Sequence, residues 1–342
     1  MREISLESQR QKIRDFTKGF KATHLINIGS KLGIFDALND AKDGITVPDL
    51  ASKLELHEPY LRIWCQTAYS FELLDCDSQG RFKLQPFLDE ILGDRSHLHN
   101  YLGLFNLAVN VTGERLRNSP DFYRSGDVMR SYTPERSEIA SEATAILHRL
   151  IGVYVSMIPD DDPLKRMLNR GARVLDIGCG AAGFIIQLAE AFETGTFLGV
   201  DPVPHGIEAA KTRIAQLGLE ERVAVEHLGG EQLPYHDEFD IITMILTFHE
   251  ILPDVRGKVV EGAYQALRTD GLLLIVDFSY PDTLEGLRDE TYEAGVIDQF
   301  DETCLGVVHI DARQQNEMLG EIGFRDIRRI SMQGIDVITA AK

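Results

Sequence analysis

Long apolar runs are missing from this sequence. No stretch approaches the roughly 18 consecutive apolar residues that a membrane-spanning helix needs, although 44% of the 342 residues are hydrophobic and 26% are charged. The first residues are charged from Arg2 onwards and contain no apolar core of the kind found in secretory signals. We therefore expect a soluble, globular, cytoplasmic protein that makes no membrane contact.

Cysteine is scarce and unpatterned. The four residues Cys65, Cys76, Cys179 and Cys304 lie far apart and form no C-x-x-C pair. This spacing argues against both a disulfide framework and a zinc knuckle. We expect reduced thiols.

Positive charge is also in short supply. Lysine and arginine total 35 against 54 acidic residues, so the net charge is -19. A field of this sign repels phosphate backbones and gives no footing for nucleic acid. A neutral or cationic small molecule is the easier partner.

The length and the order of the elements predict two domains. A chain of 342 residues exceeds the usual size of one hydrophobic core. Residues 1–105 predict helices with one short β element, including a helical pattern from Phe16 to Leu38 that Gly33 closes. Residues 106–342 form the second predicted domain, in which 106–168 are helical, with one helix from Ser137 to Met157.

Residues 46–83 predict a winged helix. Thr46 can cap a helix that ends at Leu54, and a second helix is expected from His57 to Leu74. A turn-forming Asp-Ser-Gln-Gly then separates two short strands. Winged helices can bind DNA, but this segment holds six acids and four bases, and DNA contact needs a basic face. We favour a packing or dimerisation role, with DNA binding as the alternative.

After Gly171 the sequence alternates strand-like and helical segments, which is typical of a parallel sheet covered by helices. The fold class is therefore α/β. A helix from Ala312 to Ile322 and two strands, Phe324 to Ile330 and Ile335 to Ala340, end the chain and predict a β-hairpin. The other predicted strands are 173–177, 196–200, 222–226, 239–246 and 272–277.

A glycine loop carries the main evidence on function. Gly178, Gly180 and Gly183 form a G-x-G-x-x-G motif between a strand and a helix, where missing side chains let the backbone approach a nucleotide. Asp176 lies two residues earlier and would repel the pyrophosphate of a dinucleotide. S-adenosylmethionine has no phosphate and carries a sulfonium and an ammonium group, so the motif favours this cofactor.

Asp201 is the predicted ribose ligand. It ends the second strand, 18 residues after Gly183, close to the roughly 20-residue spacing at which an acid meets the ribose hydroxyls. The alternative is that Asp201 only caps the next helix, since an Asp followed by a proline commonly starts a turn.

Together these residues resemble the class I methyltransferases. The helical N-terminal half, the loop DIGCGAAG, the acid in GVDP and the closing hairpin are similar to the dimeric small-molecule O-methyltransferase family. The resemblance implies a Rossmann-like seven-stranded sheet and a winged-helix-like dimerisation domain in a homodimer. It also implies a small-molecule acceptor held between the domains, and helices within 101–157 are expected to line its pocket through Phe105, Tyr154 and Met157.

The adenine contacts depart from the family pattern. Gly229 stands where related enzymes often carry an acid that contacts the adenine amino group. Backbone groups of Gly230 and Glu231 are the expected substitutes, with the side chains of His227 and Glu231 as alternatives.

The resemblance implies that His249 is the general base, with Glu250 holding its ring. An imidazole titrates near neutral pH and can take the proton of an acceptor hydroxyl. The alternative is that His249 packs or positions the cofactor. Asp277 ends the next strand and is expected either to face the acceptor or to cap a turn.

A metal-assisted carbon methyltransferase acting on a keto acid is the second functional alternative. Some family members of that kind hold a cation, for which His249, Glu250 and Glu302 would be the ligands here; a solvated loop is the competing interpretation of Glu302. We assign no metal on the sequence. The segment Leu305 to Asp311 lacks the Glu that orients the base in O-methylating members, and His309 either contacts the acceptor or starts a helix.

Overall fold

The computed structural model describes residues 4–129 and 133–342. Its contacts divide the chain into two compact units. The first unit contains the residues up to 114 together with 142–146, and the second contains the remaining described residues. No described helix is both long enough and apolar enough to cross a membrane.

The first unit has the predicted winged-helix order. Thr46 caps α3 by accepting a hydrogen bond from the backbone of Asp49, and the three short strands pair antiparallel in the order β1-β3-β2. The predicted helix from Phe16 to Leu38 is two helices, because Gly33 adopts a left-handed φ of 68° between them. The elements are α1 (Leu6–Lys31), α2 (Ile34–Asp40), β1 (Ile45–Thr46), α3 (Val47–Leu54), α4 (Glu58–Ser70), β2 (Leu74–Cys76), β3 (Arg81–Leu84) and α5 (Leu102–Leu107).

One hydrophobic core holds this unit together. Phe35 and Trp64 meet edge to face, with 5.6 Å between ring centroids. The indole N–H of Trp64 donates to the carbonyl oxygen of Leu25 at 3.0 Å. A buried Trp needs such an acceptor, so this bond fixes α4 against α1.

The second unit contains a seven-stranded sheet of order β6-β5-β4-β7-β8-β10-β9. Strands β4 to β8 are parallel to one another, whereas β10 pairs antiparallel with both β8 and β9. This is the predicted Rossmann-like sheet with an antiparallel hairpin. The strands are β4 (Arg173–Ile177), β5 (Thr196–Asp201), β6 (Val223–His227), β7 (Phe239–Ile245), β8 (Leu267–Phe278), β9 (Arg325–Met332) and β10 (Ile335–Ala341).

Helices cover both faces of this sheet. Alternate strand residues enter two separate cores, Val174 and Ile241 in one and Leu175 and Ile242 in the other. The remaining helices of the described chain are α6 (Gly113–Ser125), α7 (Pro134–Met157), α8 (Pro163–Asn169), α9 (Gly183–Ala191), α10 (Pro204–Leu217), α11 (Pro253–Ala266), α12 (Glu293–Glu302) and α13 (Ala312–Ile322).

The strand order places the ligand crevice. The order reverses between β4 and β7, and open α/β sheets bind ligands beyond the carboxyl ends of the strands at such a switch point. The residues that follow β4, β5, β7 and β8 therefore meet at one edge. All the candidate residues from Asp176 to Asp277 lie at or near the ends of these strands or of β6.

Helix α12 lies between β8 and α13 in a part of the chain for which the sequence predicted no element. Glu302 is its last residue and is 9% exposed. The solvated loop considered for Glu302 is therefore wrong. The next helix, α13, begins where His309 to Asp311 suggested a start, because Asp311 and Gln314 form a reciprocal capping box.

Candidate active site

The glycine loop follows β4 and leads into α9. Gly178 and Gly180 have φ of +76° and +51°, a region that side chains other than glycine rarely occupy. A Cβ at Gly178 would lie 2.2 Å from Cγ2 of Thr247, whereas a Cβ at Gly180 would meet nothing within 4 Å. Gly178 thus allows β4 and β7 to approach, and Gly180 leaves open space.

Gly183 is required for a different contact. A Cβ on this residue would lie 2.8 Å from Nδ1 of His148 on α7. Burial, with help from the charges of Arg213 and Arg149, lowers the pKa of His148 to about 4. A neutral imidazole therefore packs on the start of α9.

Asp176 is buried, at 2% exposure, and pairs in register with Thr243 on β7. The hydroxyl of Thr243 donates to Oδ1 of Asp176 at 2.6 Å. Burial, with a smaller contribution from the nearby Asp201, outweighs this hydrogen bond and raises the pKa of the Asp176 carboxyl to about 7. Near neutral pH the side chain is therefore divided between its charged and neutral forms.

Asp201 binds the glycine loop as well as its own turn. Its Oδ2 accepts from the backbone N–H of Gly180 at 2.9 Å, and its Oδ1 accepts from Val203 at 2.7 Å. The second bond closes a turn but does not cap α10, because the N-cap residue of that helix is Val203 and no side chain caps it. The helix-capping alternative for Asp201 is therefore wrong. Each oxygen of a carboxylate has more than one acceptor site, so both retain capacity for a diol.

The end of β6 lies beside Asp201. Asp201 pairs with His227, and Nε2 of His227 is 2.9 Å from the carbonyl oxygen of Pro202. Gly230 is buried, and a Cβ there would lie 2.9 Å from side-chain carbons of Ile177 and Val259. Glu231 is exposed. The three segments that contain Asp176 and Gly178, Asp201, and Gly230 thus lie at one edge of the sheet.

His249 lies just after β7 and is held by Asp277 at the end of β8. Nδ1 of the ring is 2.5 Å from Oδ1 of Asp277, and Oδ2 accepts from the backbone N–H of His249 at 2.8 Å. The carboxylate accepts only, so Nδ1 carries the proton and Nε2 faces away from it. The ring-holding role expected of Glu250 falls to Asp277 in this geometry.

The charges around His249 perturb its titration. Burial lowers the pKa of the imidazole, but Asp277, followed by Glu250 and Asp298, outweighs burial and raises it to about 10. Asp277 responds in the opposite sense: burial raises its pKa, yet the imidazole and two backbone N–H donors hold it below its usual value. The pair is an ion pair at neutral pH.

Helix α12 presents two carboxylates to the other side of His249. Asp298 and Glu302 are four residues apart and so share one helix face. Nε2 of His249 is 3.5 Å from Oδ2 of Asp298 and 3.8 Å from Oε2 of Glu302. Nε2 of His309 is 3.0 Å from the same Asp298 oxygen. Burial, then Glu250 and Asp298, raises the pKa of Glu302 to about 8.

Two protein families match parts of the chain by sequence. A methyltransferase domain matches residues 168–319, and an O-methyltransferase dimerisation domain matches residues 15–87. The chain therefore carries a methyltransferase domain, and its sheet has the class I methyltransferase fold. S-adenosylmethionine is accordingly its cofactor.

Two curated relatives and one solved structure illustrate the similarity. The methyltransferase is 29% identical over 54% of its length to 27-O-demethylrifamycin SV methyltransferase of Amycolatopsis mediterranei. It is 33% identical over 49% of its length to Methyltransferase GfsG of Streptomyces halstedii. It spans 61% and 66% of those two proteins, less than two thirds of either. Human N-acetylserotonin methyltransferase, solved with S-adenosylmethionine, shares the fold with a TM-score of 0.78 at 15% identity, covering 100% of this chain and 99% of that one.

The crevice of the methyltransferase fits the cofactor on its own geometry. The space where a Cβ of Gly180 would lie is open, as close approach of a ligand to the loop requires. Asp201 retains acceptor capacity next to this loop. Asp176 and Asp201 give the site a negative character that suits a cationic ligand.

Some functional candidates of the methyltransferase could not be found from the sequence. Asp298 lies in no recognisable motif, and its place in the site depends on α12 facing His249. Arg256 is 2% exposed and donates to the carbonyl oxygens of His249, Ile251 and Val308. The only available signal for Asp298 was its four-residue spacing from Glu302.

The residues expected to contact the acceptor have mixed surroundings. Phe105 packs against the core of the first unit and is partly buried. Tyr154 packs against a core of the second unit. Met157 ends α7 and is 77% exposed.

Proposed function

We propose that this methyltransferase transfers the methyl group of S-adenosylmethionine to a hydroxyl oxygen of a small organic acceptor. The observation that carries the proposal is the hydrogen bond between Nδ1 of His249 and Asp277 at the ends of adjacent strands. It leaves Nε2 free of that partner and able to take a hydroxyl proton.

The position of His249 supports this role. Thr247, two residues earlier, contacts the glycine loop: its hydroxyl lies 3.3 Å from the carbonyl oxygen of Gly178. The imidazole is therefore attached to the same edge as Asp176, Gly180 and Asp201. The bound cofactor supplies an electrophilic methyl group on sulfur, which the acceptor oxygen takes by in-line displacement, releasing S-adenosylhomocysteine. Proximity and orientation then account for much of the rate.

The raised pKa of His249 must fall for the ring to act as a base. With a pKa of about 10 the ring holds a proton at neutral pH. A neighbouring positive charge, such as that of a sulfonium, opposes imidazolium and lowers its pKa. Cofactor binding and activation of the base are therefore linked in this proposal.

The test is replacement of His249 by Gln in the full chain, assayed by transfer of a labelled methyl group to a panel of phenols and alcohols. A positioned base contributes about 10²- to 10⁴-fold, so turnover should fall by that factor while S-adenosylhomocysteine still binds. His236→Gln, at an exposed site, is the matched control. Unchanged turnover in the His249 variant would show that the base assignment is wrong.

We also propose that the enzyme is a homodimer. It carries the O-methyltransferase dimerisation domain, and one face of α1 exposes Ile13, Phe16 and Phe20 at 62%, 62% and 66%. The spacing i, i+3, i+7 puts these side chains on a single stripe. An exposed apolar stripe of this kind marks a protein–protein contact.

Carbon methylation of a keto acid or similar acceptor is the second candidate. The observation that favours it is the approach of Asp298 and Glu302 to Nε2 of His249, with His309 on the same Asp298 oxygen, because a cation bound there would polarise a carbonyl oxygen. A chelator should then abolish turnover, and added metal should restore it. Full turnover in the chelator would reject this candidate and leave the metal-free base.

A further inference from the structure

His249, Asp298 and His309 bring three metal-ligating atoms together; we call these residues the imidazole–carboxylate group. The donor atoms lie within 4.8 Å of one another. Oδ2 of Asp298 is 3.0 Å from Nε2 of His309 and 3.5 Å from Nε2 of His249. Atoms bound at about 2.0–2.2 Å to a common ion are separated by roughly 3–3.5 Å. The two short distances match ligands of one metal.

The His249 ring already has the outer contact of a metal-bound imidazole. Metal-ligating histidines commonly donate their other N–H to a carboxylate, which fixes the tautomer and the ring orientation. Asp277 provides this contact at 2.5 Å and is itself held by the backbone N–H groups of His249 and Phe278. Nε2, the other ring nitrogen, therefore faces Asp298 and Glu302.

Buried hydrogen bonds hold the three segments in place. Nη2 of Arg256 donates to the carbonyl oxygens of His249 and Val308, at 3.2 and 2.7 Å. Gln299, next to Asp298, accepts from the backbone N–H of His309 at 2.6 Å. The group is thus preorganised, which lowers the cost of binding an ion.

One buried oxygen beside the group lacks a partner among the described residues. Oε2 of Glu302 has no hydrogen bond and is 3.8 Å from Nε2 of His249. Its other oxygen lies 3.7 Å from Arg115. A buried polar oxygen without a partner is costly, and a bound cation would remove that cost.

We propose that the imidazole–carboxylate group binds one divalent transition-metal ion per chain, with Glu302 beside it. Two imidazoles and one carboxylate suit iron, zinc, cobalt or nickel better than magnesium or calcium. The ligand set suggested by the sequence, His249, Glu250 and Glu302, also has its donor atoms within 4.8 Å of one another. Glu250 is exposed in that set, so we assign Asp298 and His309 as the ligands beside His249. This proposal rests on the carbon-methylation candidate above, because a metal on Nε2 of His249 leaves no base there for oxygen methylation.

The test uses the full-length protein, stripped with a chelator and titrated with Co²⁺ by calorimetry and visible absorption. One equivalent should bind, with the d–d bands of nitrogen and oxygen ligands. Asp298→Asn and His309→Gln should each weaken binding by about 100-fold or more, and Asp277→Asn by about 10- to 100-fold. His236→Gln and Glu293→Gln, both exposed and the latter on α12, should bind like the unaltered chain.

S-adenosylhomocysteine binding, measured on the same samples, shows that each variant is folded. Asp298→Asn keeps the size of the side chain, so it should retain this binding. The proposal is overturned if the unaltered chain takes up less than half an equivalent of Co²⁺. It is also overturned if Asp298→Asn and His309→Gln bind Co²⁺ as tightly as the unaltered chain does. Intact S-adenosylhomocysteine binding in that case would leave the methyltransferase proposal standing.

Discussion

At the scale of single residues, Asp176 shows how burial and function oppose each other. A carboxylate that is 2% exposed, with one hydroxyl donor, is an unfavourable place for a charge. Its pKa of about 7 follows from that burial. The residue is therefore a poor stabiliser of the ligand-free protein and a good partner for a cation.

Replacing Asp176 by Asn should change how stability depends on pH. The folded pKa is raised above the ordinary value of 3.8, so the folded state holds its proton more tightly and loses stability as pH rises from about 4 to 7. The loss is on the order of 4 kcal/mol, from about three pKa units. Asn has no such loss, so urea unfolding at pH 8 should find the variant more stable than the unaltered chain.

The free energy of unfolding of each protein is compared between pH 5 and pH 8. Asp160→Asn, at an exposed position, is the control. An Asp176→Asn variant that loses as much stability over this range as the unaltered chain would contradict the account. The pH dependence of cofactor affinity is a second readout. If the ionised carboxylate attracts the cofactor, S-adenosylmethionine affinity should rise through pH 7 in the unaltered chain and stay flat in the variant.

At the scale of elements, two glycines allow the cost of backbone strain to be measured apart from the loss of a ligand contact. Gly180 and Gly218 both have positive φ, +51° and +66°, and a Cβ would meet nothing within 4 Å at either position. Gly218 follows the last residue of α10, whereas Gly180 lies in the loop after β4. The same substitution at the two positions therefore isolates the effect on the cofactor.

Gly180→Ala and Gly218→Ala should each cost about 1–2 kcal/mol of stability. The first should also weaken S-adenosylhomocysteine binding in calorimetry, because the added methyl group occupies the open face of the loop. The second should leave affinity unchanged. Equal affinities in the two variants would argue against Gly180 as a cofactor contact. Gly178→Ala should destabilise more than either, because its Cβ would collide with Thr247.

Helix α12 is the element that the sequence did not predict, and the reason is physical. Its acids Asp298 and Glu302 turn inward, while Ile297 and Phe300 are exposed at 53% and 55%. This inverts the usual amphipathic pattern by which a helix is recognised. Strand β4, by contrast, is an apolar run ended by glycine and occupies the predicted residues 173–177.

At the scale of the whole molecule, the exposed stripe on α1 leads to a prediction of oligomeric state. Changing both Phe16 and Phe20 to Glu should place charges at the proposed contact and give a monomer by light scattering at micromolar concentration. The change should not unfold the first unit, because neither side chain is part of its core. Lys12→Glu with Lys21→Glu, also on α1, is the control for added acidity and should remain a dimer.

A Phe16 and Phe20 double variant that keeps the mass of the unaltered protein would contradict this interface. A monomeric unaltered protein would reject the homodimer itself.

The sequence by itself determined the parallel sheet, the cofactor and the winged-helix order. These follow from local patterns: apolar runs of strand length, glycines at a strand–helix junction, and capping residues. Tertiary structure alone decided the partners of His249, because Asp277, Asp298 and His309 lie 28, 49 and 60 residues away along the chain. Side chains so far apart meet only when strand order and helix packing are settled, and no local pattern records the distance between them.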